Sequence, residues 1–494
     1  MTTAPLFCAR VLHWITGSRS GGRRRTIAGL LIAGFGIAWT LDGAAPVAVA
    51  DEPARERPFR SLAVGIGEDY ASNRRTLDAA RRDLEACRRA GASVLRISFS
   101  WSEMEPEPGR YDFTFWDKVV PMAVDEYGLR LIAYVCYTPE WASSEPKSEA
   151  VWTTPPKAVA TFGRFVGELV GRYKSRIHSW EIWNEPDIPE FWTGSTKQYA
   201  ALVAEGSRAV RRADPTAKVV LGGIARRPEF LRELLRDEGV SPLVDVVNCH
   251  SYFETWHDGT IEGLPNYLRL IAGIIDDHGH GQELWMAEVG YSSYRPKGSG
   301  QVSDRYQARH GFEHTRAYQA EALLRTIALI RSMDRVSLVT WYRINDLPAG
   351  QEVIGDVNNR HLGIVDLQGQ PKPALEGFRR AAELFSQPLR PADDRVLATW
   401  PIASRAEVHA FEAADGSLTI VAWQRASVSG DGRRPAAGDQ PPRPAEGITL
   451  TIPGRRLRTA PDAPALKVTD QVDGTTIRLD VTQDRTLVFR LIPN

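Results

Sequence analysis

Cysteine is scarce in this chain, with four in 494 residues. Cys8 lies in an N-terminal segment of distinct composition. Cys87, Cys136 and Cys249 remain, an odd number that excludes a disulfide framework as the basis of the fold. Cys87 falls on a predicted helix, Cys136 and Cys249 on predicted strands, so all three are expected as buried free thiols. Their spacing does not suit a zinc site. Net charge is also lacking: 61 basic residues balance 61 acidic ones, and no basic field argues for nucleic acid. The apolar run 27–41 has 15 residues, short of the roughly 20 that cross a bilayer. Gly65-Ile66-Gly67 lacks the remainder of a dinucleotide fingerprint, and there is no internal repeat. Hydrophobic content of 43% and charged content of 25% are those of an ordinary globular protein.

What is present begins with an address. Arg23-Arg24-Arg25 precede the apolar run, and Ala48-Val49-Ala50 offers small residues before Asp51. This is the pattern of an export signal over residues 1–50, with a retained membrane anchor as the alternative. The arginine pair only faintly resembles a twin-arginine signal. The segment carries a charge of +4, which leaves the remainder mildly acidic at −4.

Beyond it, strand-like runs alternate with helix-like ones, the pattern of a parallel α/β fold. The strands are predicted at 62–66, 93–98, 131–136, 177–183, 218–222, 244–250, 284–288 and 336–341. Eight such units are the count of a (β/α)8 TIM barrel, expected over 51–386. The segment 387–391 reads as a linker. Short β-like runs at 408–411, 418–423, 448–452, 476–479 and 486–489 then predict a small all-β, sandwich-like domain over 387–494. The stretch 427–446 reads as a mobile loop rich in Pro, Gly and Arg. Trp400, Phe411 and Trp423 are few for a carbohydrate-binding face, so the domain is expected to pack on the barrel.

Two carboxylates end predicted strands. Glu185 follows the run Trp180-Glu181-Ile182-Trp183-Asn184, and Pro186 stops the strand. Glu288 closes Leu284-Trp285-Met286-Ala287. In a barrel both positions lie at the C-terminal mouth, where such enzymes keep their chemistry. The pair is 103 residues apart, three barrel units, which assigns them to strands four and seven. Breaking a sugar acetal needs one acid to protonate the leaving oxygen and one base or nucleophile opposite it. A surface role suits neither residue, because both end apolar runs. Asp276-Asp277-His278-Gly279-His280 reads as the polar turn before strand seven, and neither a metal nor a cofactor is expected.

The pattern resembles clan A glycoside hydrolases, and most closely glycoside hydrolase family 39, over about residues 62–385. The resemblance implies that Glu185 is the acid/base, Asn184 its sugar-contacting neighbour and Glu288 the nucleophile. It places Arg96 near the nucleophile, and His250 and Tyr252 on the strand-six segment beside it. Trp341 becomes the aromatic floor at strand eight. Trp192 belongs to the Phe191-Trp192 pair after the acid. Tyr137 stands in Tyr137-Thr138-Pro139-Glu140-Trp141, where many clan members carry His. Of Trp141, Trp152, Trp192, Trp256, Tyr291 and Tyr342, about half are expected to line a sugar cleft.

The function expected from these residues is a retaining β-glycosidase that cleaves a polysaccharide or oligosaccharide by double displacement. The long loops 291–312 and 345–370 slightly favour endo-action. Exported relatives in bacterial exopolysaccharide systems imply an exopolysaccharide as substrate, and a periplasmic or extracellular location. A β-xylosidase-like exo-enzyme is the alternative, and a non-catalytic polysaccharide-binding barrel is the alternative of another class. No nucleic-acid partner is expected, and a membrane only through a retained N-terminal anchor.

Overall fold

The computed structural model describes residues 57–494 except 71–74, 257–259, 296–302, 304–311, 352, 354–355, 400–405, 427–441, 443, 461–466 and 472–473. The export segment 1–50, most of the loops 291–312 and 427–446, and Trp400 therefore lie outside the described residues.

Eight parallel strands close into a barrel in chain order. They are β1 (Ala63–Glu68), β2 (Val94–Ser100), β3 (Arg130–Cys136), β4 (Ile177–Ile182), β5 (Lys218–Leu221), β6 (Val246–Ser251), β7 (Glu283–Val289) and β8 (Val336–Tyr342). Each is largely buried on both faces, because a barrel strand packs inward on its fellows and outward on helices. Helices between them start and stop on local signals. Thr76 caps Leu77–Ala90, which ends on Gly91 in the left-handed conformation. Ser195 and Gln198 form a capping box at the start of Thr196–Ala213. No described helix is long and apolar enough to cross a membrane.

The barrel interior changes character along its axis. Val94, Ile132, Val220, Val246, Trp285, Ala287 and Leu338 fill it with one apolar cluster. Side chains alternate along a strand, so the inward positions one step further on are Arg96, Tyr134, Asn248 and Thr340, and then His250 and Tyr342. Polar groups are thus gathered at the C-terminal mouth above an apolar plug.

Two antiparallel sheets follow the barrel. The five-stranded sheet has the order β14 (Leu457–Thr459), β17 (Leu487–Pro493), β12 (Leu418–Gln424), β11 (Ala406–Ala413), β9 (Leu389–Pro391). The four-stranded sheet runs β10 (Leu397–Thr399), β13 (Glu446–Pro453), β16 (Gly474–Val481), β15 (Lys467–Gln471). Ala410, Ile420, Leu450, Ile477 and Leu491 belong to the core between them.

The expected linker at 387–391 is a correction. Leu389, Arg390 and Pro391 are buried and pair with β11. Pro391 suits this position because β9 is an edge strand, where a missing N–H costs nothing. Barrel and sandwich share core as well as chain: Phe411, Val421 and Trp423 face the barrel's hydrophobic core. Trp423 donates its indole N–H to Glu262 at 2.8 Å, and Arg325 Nε donates to Thr486 Oγ1 at 2.8 Å. Among the described residues of this domain, Phe411, Trp423 and Phe489 are all spent on packing.

Candidate active site

Glu185 leaves β4 through an unusual turn. Trp183 and Glu185 both have positive φ, 74° and 45°, a conformation that costs a non-glycine residue energy and gathers at functional sites. Glu288 needs a different device. Ala287 faces the barrel interior, so strict alternation would turn Glu288 outward. Instead β7 carries an extra residue: Asn248 and His250 face Trp285 and Glu288, while Met286 and Val289 face Val339 and Trp341. A bulge of this kind re-aims a side chain, and here it turns Glu288 into the mouth. The nearest ligand-type atoms of Glu185, His250 and Glu288 lie within 4.8 Å of one another.

Arg96 organises the floor. Its Nε and Nη2 donate to Glu181 at 2.8 and 2.9 Å, its Nη1 to Glu288 Oε2 at 3.0 Å, and its Nη2 also to Asn184 Oδ1 at 2.7 Å. The guanidinium lies 4.2 Å from the centre of the Tyr134 ring. Glu181 is wholly buried at 0% exposure and also accepts from Gly223 N and Asn248 Nδ2, at 3.1 and 3.0 Å. Burial opposes the charge of Arg96, yet Glu181 and Glu288 together hold its pKa well above the ordinary value. Asn184, with its oxygen committed to Arg96, has its amide nitrogen left to donate.

The two carboxyls are held in unlike environments. Glu288 Oε1 accepts from the Tyr252 hydroxyl at 2.7 Å and Oε2 from Arg96. Burial pushes the Glu288 pKa up to about 7, with Arg96 and the Tyr252 hydrogen bond pulling down and the charge of Asp69 pushing up. Glu185 has no cation of its own. Burial, then the charge of Glu288, then that of Asp187 raise its pKa well above the carboxylate range. Of the two, Glu185 keeps the proton.

His250 sets which oxygen carries that proton. Backbone Ala287 N donates to Asn248 Oδ1 at 2.8 Å, which turns the Asn248 amide nitrogen toward His250 Nε2 at 3.2 Å. Nε2 therefore accepts, and Nδ1–H donates to Glu185 Oε1 at 2.9 Å. Burial, reinforced by the Arg96 charge, lowers the His250 pKa and keeps the ring neutral. The acid proton then belongs on Oε2. Gly223 makes room for this ring, since a Cβ there would stand 1.9 Å from His250 Nε2. The same assignment leaves His250 without a lone pair for a metal at the cluster with Glu185 and Glu288.

Glu185, Glu288, Arg96, Asn184, His250 and Tyr252 thus meet in one place. Three expectations need correction. Trp341 is 1% exposed and packs into the hydrophobic core, because its neighbours Thr340 and Tyr342 take the inward positions; Tyr342 is the strand-eight aromatic that reaches the mouth. Trp192 is 3% exposed and wedged edge-on against Trp183 at 5.0 Å between ring centroids, so it supports the turn under Glu185. His250 is 0% exposed and bonded to Glu185, so it supports that carboxyl rather than lining the open cleft. Tyr137 is half-buried, edge-on to Trp152 at 5.0 Å and to Trp183 at 5.9 Å. Of the six loop aromatics, Trp192 and Tyr291 are buried and Trp141 donates its indole N–H to Glu105 O at 2.8 Å. Trp152, Trp256 and Tyr342 remain half-exposed beside site residues.

Sequence reasoning missed Glu181, Asn248 and Asp69. Glu181 carried a signal: a charged residue between Trp180 and Ile182 near the end of a strand. Asp69, just past β1, accepts from the hydroxyls of Tyr134 and Tyr342, the latter at 2.6 Å.

A family model described as glycosyl hydrolases family 39 matches residues 60–264. The chain is 27% identical over 164 residues to a beta-xylosidase of Caldicellulosiruptor saccharolyticus, a match covering 30% of this chain and 32% of that protein. It is 30% identical over 171 residues to a beta-xylosidase of Geobacillus stearothermophilus, again covering 30% and 32%. The matches span about a third of the length of these curated relatives. Among solved structures, a family 39 glycoside hydrolase from Bacteroides cellulosilyticus WH2 is similar with a TM-score of 0.61 at 17% identity, over 88% of this chain and 81% of that one. A monomeric beta-xylosidase from Caulobacter crescentus CB15 is similar with a TM-score of 0.58 at 17% identity, over 89% and 98%. At these identities the structures show a shared fold, barrel and β domain together. The likeness to clan A, and within it to family 39, thus rests on a sequence match and a fold.

Proposed function

We propose that this chain is a retaining β-glycoside hydrolase acting on a polysaccharide or oligosaccharide. One observation carries the reading: two opposed carboxyls reach within 4.8 Å, one kept protonated and the other pinned by a guanidinium and a tyrosine. Retaining enzymes hold their carboxyl groups about 5–5.5 Å apart, whereas inverting enzymes leave about 6.5–9.5 Å for a water.

In the first step Glu288 attacks the anomeric carbon while Glu185 gives its Oε2 proton to the leaving oxygen. The glycosidic bond breaks and an ester to Glu288 forms. The His250 N–H remains on Oε1 and stabilises the carboxylate that Glu185 becomes. In the second step that carboxylate takes a proton from water, the water attacks the anomeric carbon, and Glu288 departs as carboxylate. Arg96 and Tyr252 stabilise the departing charge and hold it in line. With its oxygen held by Arg96, Asn184 keeps its amide N–H to donate to the sugar 2-hydroxyl, a contact that strengthens in the transition state.

For the substrate, the export-like N-terminal segment and the long loop after β8 support an exported enzyme trimming an exopolysaccharide. The curated relatives named beta-xylosidase favour a second reading, an exo-acting β-xylosidase-like enzyme. The chemistry is tested with Glu185→Ala on aryl glycosides. A 2,4-dinitrophenyl leaving group needs no acid, so glycosylation survives; glycosides of ordinary alcohols lose about 10²–10⁴-fold. Equal losses on both would remove Glu185 from the acid role.

A further inference from the structure

Asp69 stands in the mouth with no function assigned to it above. It follows β1, which lies between β2 and β8, so it faces the same opening as Arg96 and Tyr342. It is exposed, while the other acids here, Glu181, Glu185 and Glu288, are buried. Two tyrosines hold it in place. The Tyr134 hydroxyl donates to Oδ1, and the Tyr342 hydroxyl to Oδ2 at 2.6 Å. Both rings lead back to Glu288. Tyr134 lies under the guanidinium of Arg96, and Tyr342 stands edge-on to Tyr252, with centroids 6.3 Å apart. Arg96 and Tyr252 are the two donors to Glu288.

The cations nearby are already committed. Arg96 serves Glu181 and Glu288, and Arg343 pairs with Glu68. Among the described residues no Lys, Arg or His lies within ion-pair distance of Asp69. A carboxylate oxygen has two acceptor directions. Each oxygen of Asp69 spends one on a tyrosine and keeps one, so the group offers two fixed acceptors to the space over Glu288.

We propose that Asp69 is a sugar-binding carboxylate that accepts hydrogen bonds from two neighbouring hydroxyls of the ring bound between Glu185 and Glu288, and so selects an uncharged sugar there. The inference rests on the hydrolase reading above. Its selectivity follows from charge. With Glu185 protonated, three carboxylates, Asp69, Glu181 and Glu288, face one guanidinium. A uronate or a sulfated ring would add an anion to this surplus. A neutral ring brings only O–H donors, which a carboxylate binds more strongly than a neutral acceptor would.

The test uses the full chain and 4-nitrophenyl β-glycosides of xylose, glucose, galactose, mannose and glucuronic acid. The wild type is expected to cleave a neutral member and to spare the glucuronide. On the best neutral substrate, Asp69→Ala should lower kcat/KM roughly a hundredfold, the loss of two hydrogen bonds to a charged group. Monodeoxy analogues separate binding from mere support of the tyrosines. Two of them should be poor for the wild type, yet no worse than the parent sugar for Asp69→Ala. Thermal melts report whether the variants fold, and the isosteric Asp69→Asn carries the same comparison if the alanine variant does not. Wild-type kcat/KM in both variants, losses that multiply with every deoxy position, or preference for the glucuronide would overturn this inference and leave the hydrolase standing. A wild type that cleaves neither a member of the panel nor the 4-nitrophenyl glycosides of the matching β-linked disaccharides would overturn both.

Discussion

Glu181→Gln tests the floor of the site with a change of one atom. Glu181 accepts four hydrogen bonds: Arg96 Nε on one oxygen, and Arg96 Nη2, Gly223 N and Asn248 Nδ2 on the other. A glutamine can offer one acceptor oxygen. If it keeps the oxygen that meets three donors, its NH2 confronts Arg96 Nε–H; the reverse orientation confronts three donors. Removing one partner of a buried pair costs about 3–5 kcal/mol. Arg96 keeps Glu288, so the lower end applies: about 3 kcal/mol, roughly a hundredfold in the folding equilibrium. A second effect has the opposite flavour. The Glu181 charge helps raise the Glu288 pKa, and Arg96 lowers it. Without Glu181, Arg96 acts on Glu288 alone, and that pKa falls. Urea denaturation followed by tryptophan fluorescence reads the first effect, and the acidic limb of kcat/KM on an aryl glycoside reads the second. The variant should be markedly less stable while its acidic limb moves to lower pH. Glu376→Gln, which loses an exposed helical pair with Arg379, is the control and should leave the urea midpoint in place. A Glu181→Gln protein as stable as wild type, or an acidic limb that stays or moves up, would refute this view of the floor.

Three further outcomes follow from the same geometry. Glu288→Gln should abolish turnover while leaving the fold intact by circular dichroism; wild-type activity would remove Glu288 as nucleophile. That substitution also deletes a charge that raises the Glu185 pKa, so carbon NMR of labelled Glu185 should show it titrating at lower pH than in the wild type; a rise would contradict the coupling. The wild-type profile of kcat/KM should be bell-shaped, because Glu288 must be ionised and Glu185 protonated. Activity climbs as Glu288 loses its proton near pH 7 and falls at higher pH as Glu185 loses its own. Full activity at pH 4 would contradict the burial of this pair.

The barrel was legible because a parallel strand buried on both faces is written mainly in apolar residues, and eight such runs alternate with helix-like stretches. Glu185 and Glu288 were legible because each interrupts the end of such a run. The bulge in β7 was not: Ala287 and Glu288 are adjacent letters, and only pairing with β6 and β8 shows an extra residue between Met286 and Val289. The same limit explains Trp341 and Tyr342. Both are aromatic and apolar enough for either face, and which faces inward depends on the register set by Leu338. Glu181 and Asn248 sit inside strands, where their partners come from β2, β7 and the segment after β5. Asp69 follows a strand without any local motif, and its meaning depends on tyrosines 65 and 273 residues away. Leu389-Arg390-Pro391 reads as a linker because three residues are too few for a period; its strand character comes from pairing with β11.

The central claim is that Glu288 forms a covalent bond to the sugar, and the stereochemistry of hydrolysis tests it most directly. Proton NMR of the anomeric region, begun within seconds of mixing enzyme with a cleaved aryl β-glycoside, identifies the first sugar released. Carboxyls as close as Glu185 and Glu288 predict the β anomer first, with the α form appearing later by mutarotation. The α anomer appearing first would mean a single displacement by water, and would contradict the double displacement proposed for this site.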